Sequence, residues 1–205
     1  MRRLVLSACA LLALAACSPK VAEGGKAPAA APGPAAKPTP TEAPAGLYTI
    51  DPSHTSLTFR VNHLGLSHYT ARFTGVKAEL QLDPADPSKA SLKAVIDPRT
   101  LETDYPSKDL DFDAELYGPK WLDAAGFPQI TFTSTRIEMT GANTAKVTGD
   151  LSLHGVTRPV TLETTFNGGY APNGMDPMGS RIGFSARGGL KRSEFGVAYG
   201  VPPKG

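Results

Sequence analysis

Cysteine is nearly absent from this chain, and both copies lie close to its start. Cys9 and Cys17 fall within the first 17 of the 205 residues, so residues 18–205 contain none. This distribution excludes disulfides, thiolate metal sites, iron–sulfur clusters and cysteine nucleophiles from everything that follows Cys17.

A basic excess is also missing from most of the chain. The chain has 21 basic residues (Lys and Arg), of which five lie in residues 1–46, and 19 acidic residues (Asp and Glu), of which two lie there. From residue 47 onward there are therefore 16 basic and 17 acidic residues. Proteins that bind nucleic acid need cationic side chains to displace counterions from the phosphates. The balanced charge therefore predicts no nucleic-acid partner.

No apolar run reaches the ~20 residues that a membrane-spanning helix needs. The run from Leu4 to Ala16 follows two arginines, which is typical of an export signal. It leads into Cys17 and Ser18, and residues 14–18 resemble the lipobox of bacterial lipoproteins. That resemblance implies acylation of Cys17 as the membrane anchor and favours the periplasmic face of the outer membrane. Ordinary secretion, with Cys17 incidental, is the alternative.

The residues that follow Cys17 contain few large apolar side chains that a folded core could bury. Positions 18–46 include seven Pro, nine Ala and four Gly among 29 residues. Such a composition favours disordered chain. We therefore predict three segments, namely a signal peptide at 1–16, an acylated cysteine with a disordered tether at 17–46, and a folded domain at 47–205.

From Leu47 onward, short runs of alternating apolar and polar residues predict β-strands. They are residues 56–63, 90–97, 129–139, 146–153, 156–166 and 181–186. In residues 69–82 the apolar positions change from odd to even at Gly75, which predicts a bulge or bend at a barrel corner. The irregular stretch 99–128 predicts a long connection with a short helix within 114–122. The fold class is an all-β antiparallel barrel with this one insertion.

The motifs of the domain, taken in their order along the sequence, resemble the YceI-like family of periplasmic lipid- or polyisoprenoid-binding proteins. They are Tyr48-Thr49-Ile50-Asp51-Pro52-Ser53-His54, residues 59–65, Arg72-Phe73, residues 121–124 and 127–132, residues 149–160 and residues 191–197. The resemblance implies a lipocalin-like barrel of about eight strands with a tunnel for a long isoprenoid chain of quinone or polyprenyl type. It implies no enzyme activity and no cofactor.

The residues expected to line such a tunnel lie on the apolar faces of the predicted strands. They are Phe59, Val61, Phe73, Phe132, Leu151, Leu153, Leu162, Phe166 and Phe184, with His63 beside the polar head of the ligand. A hydrogen-bonded structural histidine is the other interpretation of His63. Alternation does not distinguish a lined tunnel from a filled core.

The chain departs from the family pattern in two places. Residues 107–113 contain no histidine where many members carry Asp-x-His-Leu, and the chain stops at Gly205, where the family continues with another strand. We therefore expect a barrel of seven to eight strands that lacks its final strand and has an open edge. A structural module that pairs through this edge, as a homodimer or with an envelope partner protein, is the alternative function.

Other chemistry has weaker support. His54, His63 and His68 match no tight metal-ligand spacing, so we predict no metal site. An enzyme or redox partner that uses the histidines to hold haem or metal is the third alternative. The group Asp51, Ser53 and His54 lacks the context of a catalytic triad, so we predict no catalytic residue. Four basic residues are candidates for contact with an anionic head group but are more simply structural or solvated: Arg72, Arg158, Lys191 and Arg192. The alternating acidic residues of 109–115 are interpreted as a solvated turn, since they lack the pattern of a calcium loop.

Overall fold

Antiparallel β-strands are the main secondary structure of the computed structural model, which describes residues 37–107 and 109–201. The predicted signal peptide, Cys17, the tether as far as residue 36, Lys108 and residues 202–205 lie outside the described residues. The strands are β1 (Gly46–Thr49), β2 (Leu57–His63), β3 (Ser67–Phe73), β4 (Val76–Leu82), β5 (Ser91–Ile96), β6 (Leu101–Glu102), β7 (Ile130–Met139), β8 (Thr144–Leu153), β9 (Val156–Tyr170) and β10 (Arg181–Arg187). One α-helix, α1 (Phe112–Tyr117), lies in the insertion, and none of the described helices is long and apolar enough to cross a membrane.

The strands form one large curled sheet and one small sheet. The large sheet has seven strands in the order β1-β4-β5-β7-β8-β9-β10, and the small sheet has the order β2-β3-β6. Every pairing is antiparallel. The all-β, lipocalin-like antiparallel fold predicted from the sequence is confirmed, and the large sheet forms half of a barrel.

A corner at Thr74-Gly75 joins the two sheets. The phase change in the sequence occurs here, because β3 ends at Phe73 and β4 begins at Val76. The neighbouring path from β5 to β6 bends at the same place, where a 3-10 helix at Pro98–Thr100 separates these two strands. The Gly75 N–H donates to the Thr100 hydroxyl over 2.7 Å, and the Gly75 carbonyl accepts from the Asp97 N–H over 2.9 Å. The predicted bend at Gly75 is therefore present, with its backbone groups paired across it.

The apolar side chains of one sheet face form the core. The buried cluster combines strands β5, β7 and β8 with the C-terminal 3-10 helix Arg192–Phe195, and consists of Ile96, Ile130, Phe132, Val147, Leu151, Leu153, Phe195 and Val197. Leu57 and Phe73 of the small sheet also pack against it. The small sheet and the C-terminal segment therefore cover part of the concave side of the large sheet.

The insertion is ordered by its acidic residues. The helix begins at Phe112, two residues earlier than the predicted stretch, because the Asp111 carboxylate accepts from the Ala114 N–H and caps it. The Asp113 carboxylate accepts from the N–H of Thr103 over 2.9 Å, and the two side chains are also hydrogen-bonded. The alternating carboxylates of residues 109–115, which the sequence pattern assigned to a solvated turn, thus include a helix cap at Asp111 and a hydrogen bond between Asp113 and the buried Thr103.

The β2–β3 hairpin turns at Leu64-Gly65, and both residues have positive φ, 57° and 74°. The Leu66 N–H donates to the His63 carbonyl over 3.0 Å across this turn. Gly adopts left-handed φ without strain, but a leucine there costs about 1–3 kcal/mol. Leu64 is also 77% exposed, so the strain is not offset by burial of its side chain.

We predict that Leu64→Asn raises the free energy of unfolding by about 1 kcal/mol, because asparagine tolerates left-handed backbone better than leucine. Urea unfolding measures the change. Gly65→Ala is the matched control, since a Cβ there meets nothing within 4 Å, and we expect it to lose about 1 kcal/mol through the backbone alone. A destabilised Leu64→Asn variant would contradict this account of the turn.

We also predict that Gly75→Ala lowers the free energy of unfolding by about 1–3 kcal/mol, because overpacking forces neighbours to move. A Cβ at Gly75 would lie 2.5 Å from Cγ2 of Thr100 and would disturb the corner. Gly174→Ala serves as the control, since that site has nothing within 4 Å. Equal unfolding midpoints for the two variants would show that the corner has room that its geometry does not suggest.

Candidate functional site

The residues predicted to bind a ligand fall into two groups, of which the first fills the core. Phe132, Leu151 and Leu153 are buried members of the core cluster. Phe73 and Leu162 pack against that cluster and are partly buried. In the structure these five side chains contact other protein groups, as ordinary core residues do.

The second group lies on the strands beside the free edges of the two sheets. We call the apolar residues Phe59 and Val61 of β2, Phe166 of β9 and Phe184 of β10 the edge cluster. Among the described residues, β2 pairs only with β3, and β10 pairs only with β9. Phe184 is 41% exposed and Val61 is 37% exposed, although both side chains are apolar.

The edge cluster lies on the core-facing side of its strands. Phe184 is opposite Phe166 in register, their ring centroids are 5.3 Å apart, and Phe166 is in phase along β9 with Leu162, which packs against the core. On the other strand, Phe59 is opposite Ala71, which is 3% exposed, and its ring lies 5.4 Å from that of Phe73. The apolar face of the core therefore continues outward to both edges, where it is accessible.

An accessible apolar face of this kind has the chemistry to contact apolar chains. Each Å² of apolar surface removed from water contributes about 25 cal/mol, and no polar group has to be desolvated on the aromatic faces. The paired phenylalanines offer flat surfaces for alkyl or prenyl groups. The arrangement can hold a hydrocarbon tail, and none of the edge cluster residues has a group that performs acid–base or nucleophilic chemistry.

A network of charged residues joins the segment before β2 to the start of β10. The Arg181 guanidinium donates to the Asp51 carboxylate over 3.0 Å and to the Asp176 carboxylate over 2.7 Å. His54 is hydrogen-bonded to Asp51 over 3.0 Å, and the Tyr170 hydroxyl donates to Asp176 over 3.1 Å. Asp51 and Arg181 are 130 residues apart in the sequence, so this contact was missed by local sequence patterns.

The network lowers the pKa values of its two carboxyl groups. Hydrogen bonds from His54 and from the Ser53 N–H, followed by the charges of His54 and Arg181, lower the pKa of Asp51. The hydrogen bond from Arg181 is the largest cause of the lowered pKa of Asp176. Both carboxylates are therefore favoured in the charged form in the folded protein.

The segment before β1 contacts the large sheet at the β7–β8 turn and near the end of β9. The Thr39 N–H donates to the Ala142 carbonyl over 2.7 Å, and the Thr41 hydroxyl donates to the Gly169 carbonyl over 3.0 Å. Ala43 is 4% exposed. Within the described residues, contacts with the sheet are thus made from Thr39 onward, inside the stretch that composition assigned to the tether. The short side chain of Ala43 fits there against Gly169.

The basic residues considered for an anionic head group have partners within the protein. Arg158 donates to the Glu194 carbonyl over 2.7 Å, and Arg192 donates to the Val197 carbonyl over 2.8 Å. Lys191 forms an ion pair with Glu194 at 3.6 Å. Arg72 pairs with Glu102 at 2.6 Å. In the structure these side chains position the C-terminal segment and the small sheet.

Trp121 completes the attachment of the C-terminal segment. Its ring lies edge-on to Tyr199 at 5.1 Å, and the Arg192 guanidinium lies 5.1 Å from its centroid. Its indole N–H is buried and has no hydrogen-bond partner among the described residues. Aromatic and cation–π contacts therefore hold residues 192–199 against the insertion.

The four histidines occupy separate environments. His154 packs against the Phe127 ring at 4.6 Å, His54 is bonded to Asp51, and His63 and His68 are exposed on the β2–β3 hairpin. Within residues 37–107 and 109–201, no group of three or more His, Cys, Asp or Glu is arranged to hold a metal ion. His63 thus lies beside the edge cluster at the surface and does not share its core-facing contacts.

Two open pockets flank α1, and no residue of the edge cluster lines either of them. One, of about 250 Å³, is lined by residues 102–105 and 110–113, and the other, of about 380 Å³, is lined by residues 110, 111, 114, 115 and 118–120. The first is mostly polar, and it includes the Asp113 carboxylate that holds Thr103. Neither contains a residue predicted to bind the ligand.

Comparison with known proteins identifies the family of the domain. Residues 48–204 match the YceI-like domain. A UPF0312 protein of Pseudomonas savastanoi pv. phaseolicola is 34% identical over 159 residues, which cover 76% of this chain and 79% of that protein. A UPF0312 protein of Vibrio cholerae is 34% identical over 161 residues, which cover 77% and 81%.

Solved structures share the fold. Burkholderia cenocepacia BcnA is 27% identical, with a TM-score of 0.61 over 74% of this chain and 86% of that protein. The Campylobacter jejuni YCEI protein is 29% identical, with a TM-score of 0.57 over 76% and 86%. The likeness supports the lipocalin-like architecture read from the strands.

We predict that Arg181→Gln lowers the free energy of unfolding at neutral pH, because it removes the cation shared by Asp51 and Asp176. Since both carboxyl pKa values are lowered on folding, this contribution is complete above the ordinary carboxyl pKa of about 3.9 and is lost as the pH falls through the folded-state values. Urea unfolding at pH 7 and at about pH 2, in low salt, should show a difference from wild type that disappears in acid.

Arg136→Gln is the matched control for this measurement. Arg136 is an exposed arginine that pairs with a single carboxylate, Glu138, two residues away on the same strand. We expect a smaller loss at pH 7 than for Arg181→Gln. A loss from Arg181→Gln that is the same at both pH values would rule out the carboxylates as its cause.

Proposed function

Because the chain belongs to the YceI-like domain family, we propose that it is a non-catalytic carrier that holds the tail of a long-chain isoprenoid lipid. The observation that carries the proposal is the accessibility of the edge cluster. Four apolar side chains continue the core face outward and are left partly exposed at the edges of the sheets. The ligand is of quinone or polyprenyl type, as the family resemblance implies.

Burial supplies the binding energy in this proposal. Each CH₂ group moved from water to an apolar surface contributes up to ~0.8 kcal/mol. Ordering the tail and losing its free motion oppose this gain. A long prenyl chain therefore binds where a short one does not, and the rings of Phe59, Phe166 and Phe184 provide the surfaces. His63, at the exposed end of β2, is placed to contact a polar head.

Anchoring through Cys17 places this carrier at the periplasmic face of the outer membrane. The proposal rests on the lipobox-like sequence Leu14-Ala15-Ala16-Cys17 and on the Pro- and Ala-rich residues that follow it. With Thr39 in contact with the sheet, the roughly 20 residues that follow Cys17 would span about 25 Å as a flexible chain and about 65 Å when extended. Such a tether holds the barrel close to lipid without embedding it.

The free edges of β2 and β10 favour a second candidate function. Along the described ranges, β2 and β10 each have one edge without a ladder partner. Exposed backbone N–H and C=O groups pair readily with another strand. An interaction module would use one of these edges to add a strand from a second copy or from an envelope protein. Such a module would oligomerise without taking up lipid.

The carrier proposal predicts that Val61→Gln with Phe184→Gln lowers isoprenoid occupancy at least tenfold while the barrel stays folded, since both side chains are already more than a third exposed. The measurement is native mass spectrometry of protein purified without detergent, followed by lipid extraction and incubation with a defined polyprenol. Far-UV circular dichroism checks the fold of each variant.

Leu47→Gln is the control for this pair of substitutions. Leu47 is 61% exposed and lies opposite Gln81, on the polar face of β1. We expect its lipid occupancy to match wild type. Wild-type protein that neither carries nor accepts an isoprenoid would refute the carrier, and concentration-dependent oligomers in that sample would favour the interaction module.

A further inference from the structure

We propose that the β2–β3 hairpin tip, defined as residues 63–67, enters the surface of a lipid bilayer and brings the edge cluster to its lipid source. The inference rests on the proposed carrier function for its purpose, but its evidence is separate. It concerns an element that neither the core nor the edge cluster explains. The two side chains that carry it are Leu64 and Leu66.

Both leucines point away from the protein. Leu64 is 77% exposed and Leu66 is 86% exposed. A Cβ built on Gly65 between them would meet nothing within 4 Å, and residues 61–68 are all exposed, so the tip projects from the domain. Two adjacent apolar side chains at the end of a projecting hairpin leave surface that water solvates poorly.

The backbone at the tip is strained, because a leucine occupies a left-handed position. Leu64 adopts φ of 57°, a conformation in which Asn, Asp or Gly is the common choice. The β8–β9 hairpin makes a similar turn at His154-Gly155, but there the strained residue packs on Phe127. At Leu64 no such packing accompanies the strain, which points to a use outside the folded domain.

The size of the tip favours a bilayer over a protein partner. A stable protein interface buries about 800 Å² on each side, which two leucine side chains do not supply. Insertion into a membrane interface needs no matching shape, because the gain follows the apolar area that leaves water. For a domain held near the membrane by a tether, weak insertion is also strengthened by high local concentration.

The charge of the hairpin suits an anionic lipid surface. Residues 57–73 contain two arginines, two histidines and no Asp or Glu, and of the two arginines Arg72 is paired with Glu102 of β6. Arg60 and His63 lie on the strand that leads to the tip, and both are exposed. Basic side chains next to inserted apolar groups favour membranes that contain acidic phospholipid.

An apolar path leads from the tip to the edge cluster. Val61 lies two residues before His63 and is 37% exposed, and Phe59 and Leu57 follow on the same side of β2. Leu57 packs against the core cluster. A lipid tail that leaves the bilayer at the tip therefore passes His63 and then meets the apolar side chains of Val61, Phe59 and Leu57 on one face of β2.

The test is amide hydrogen exchange of the full chain with and without vesicles of phosphatidylcholine and phosphatidylglycerol (4:1) that contain no isoprenoid. We expect exchange of residues 61–68 to slow at least threefold with vesicles, while residues 171–180 stay unchanged. In the double variant Leu64→Asn with Leu66→Thr this slowing is lost, and in Leu47→Gln it is kept. Thermal unfolding confirms that the double variant is folded.

Two results would overturn the proposal. One is wild-type exchange at residues 61–68 that vesicles leave unchanged, and the other is slowing that persists in the double variant. Because the vesicles lack isoprenoid, the outcome is independent of the carrier function. Protection at the tip together with an empty barrel would retain the bilayer contact and reject the carrier.

Discussion

The corner at Gly75 is the constraint on which the rest of the structure depends. Two strand paths, β3 to β4 and β5 to β6, change sheets side by side, and the Thr100 hydroxyl and the Asp97 N–H pair the glycine backbone across the bend. Because both paths bend together, the small sheet turns back over the large one. That turn brings Leu57 and Phe73 to the core and leaves β2 as a free edge beside it.

A curled sheet with free edges divides its apolar face into two environments. Near the middle strands, side chains such as Phe132 and Leu151 are surrounded by other elements and are buried. Toward the edges, Val61 and Phe184 have neighbours on one side only, so the same kind of side chain stays accessible. Core and candidate site are therefore parts of one continuous surface, and a ligand at the edges would extend the packing of the core.

The fold could be predicted from sequence because its rules are local. Alternation marks the strands, and the phase change at Gly75 marks the corner. The candidate site could not be predicted to the same depth, because alternation assigns a face but not the distance of a residue from the sheet edge. Phe132 and Phe184 therefore looked equivalent, and only one is accessible. The Asp51–Arg181 pair joins positions 130 residues apart and left no local pattern.

The single tryptophan of the chain gives the protein a native fluorophore at a defined place. Trp121 lies between Tyr199 and Arg192, in the contacts that attach the C-terminal segment, and outside the edge cluster. Its emission therefore reports whether that segment is docked, and a cargo lodged on the aromatic edges changes the signal only if it also displaces the segment. Optical titrations of this domain thus follow the docking of residues 192–199 and not the occupation of the aromatic edges.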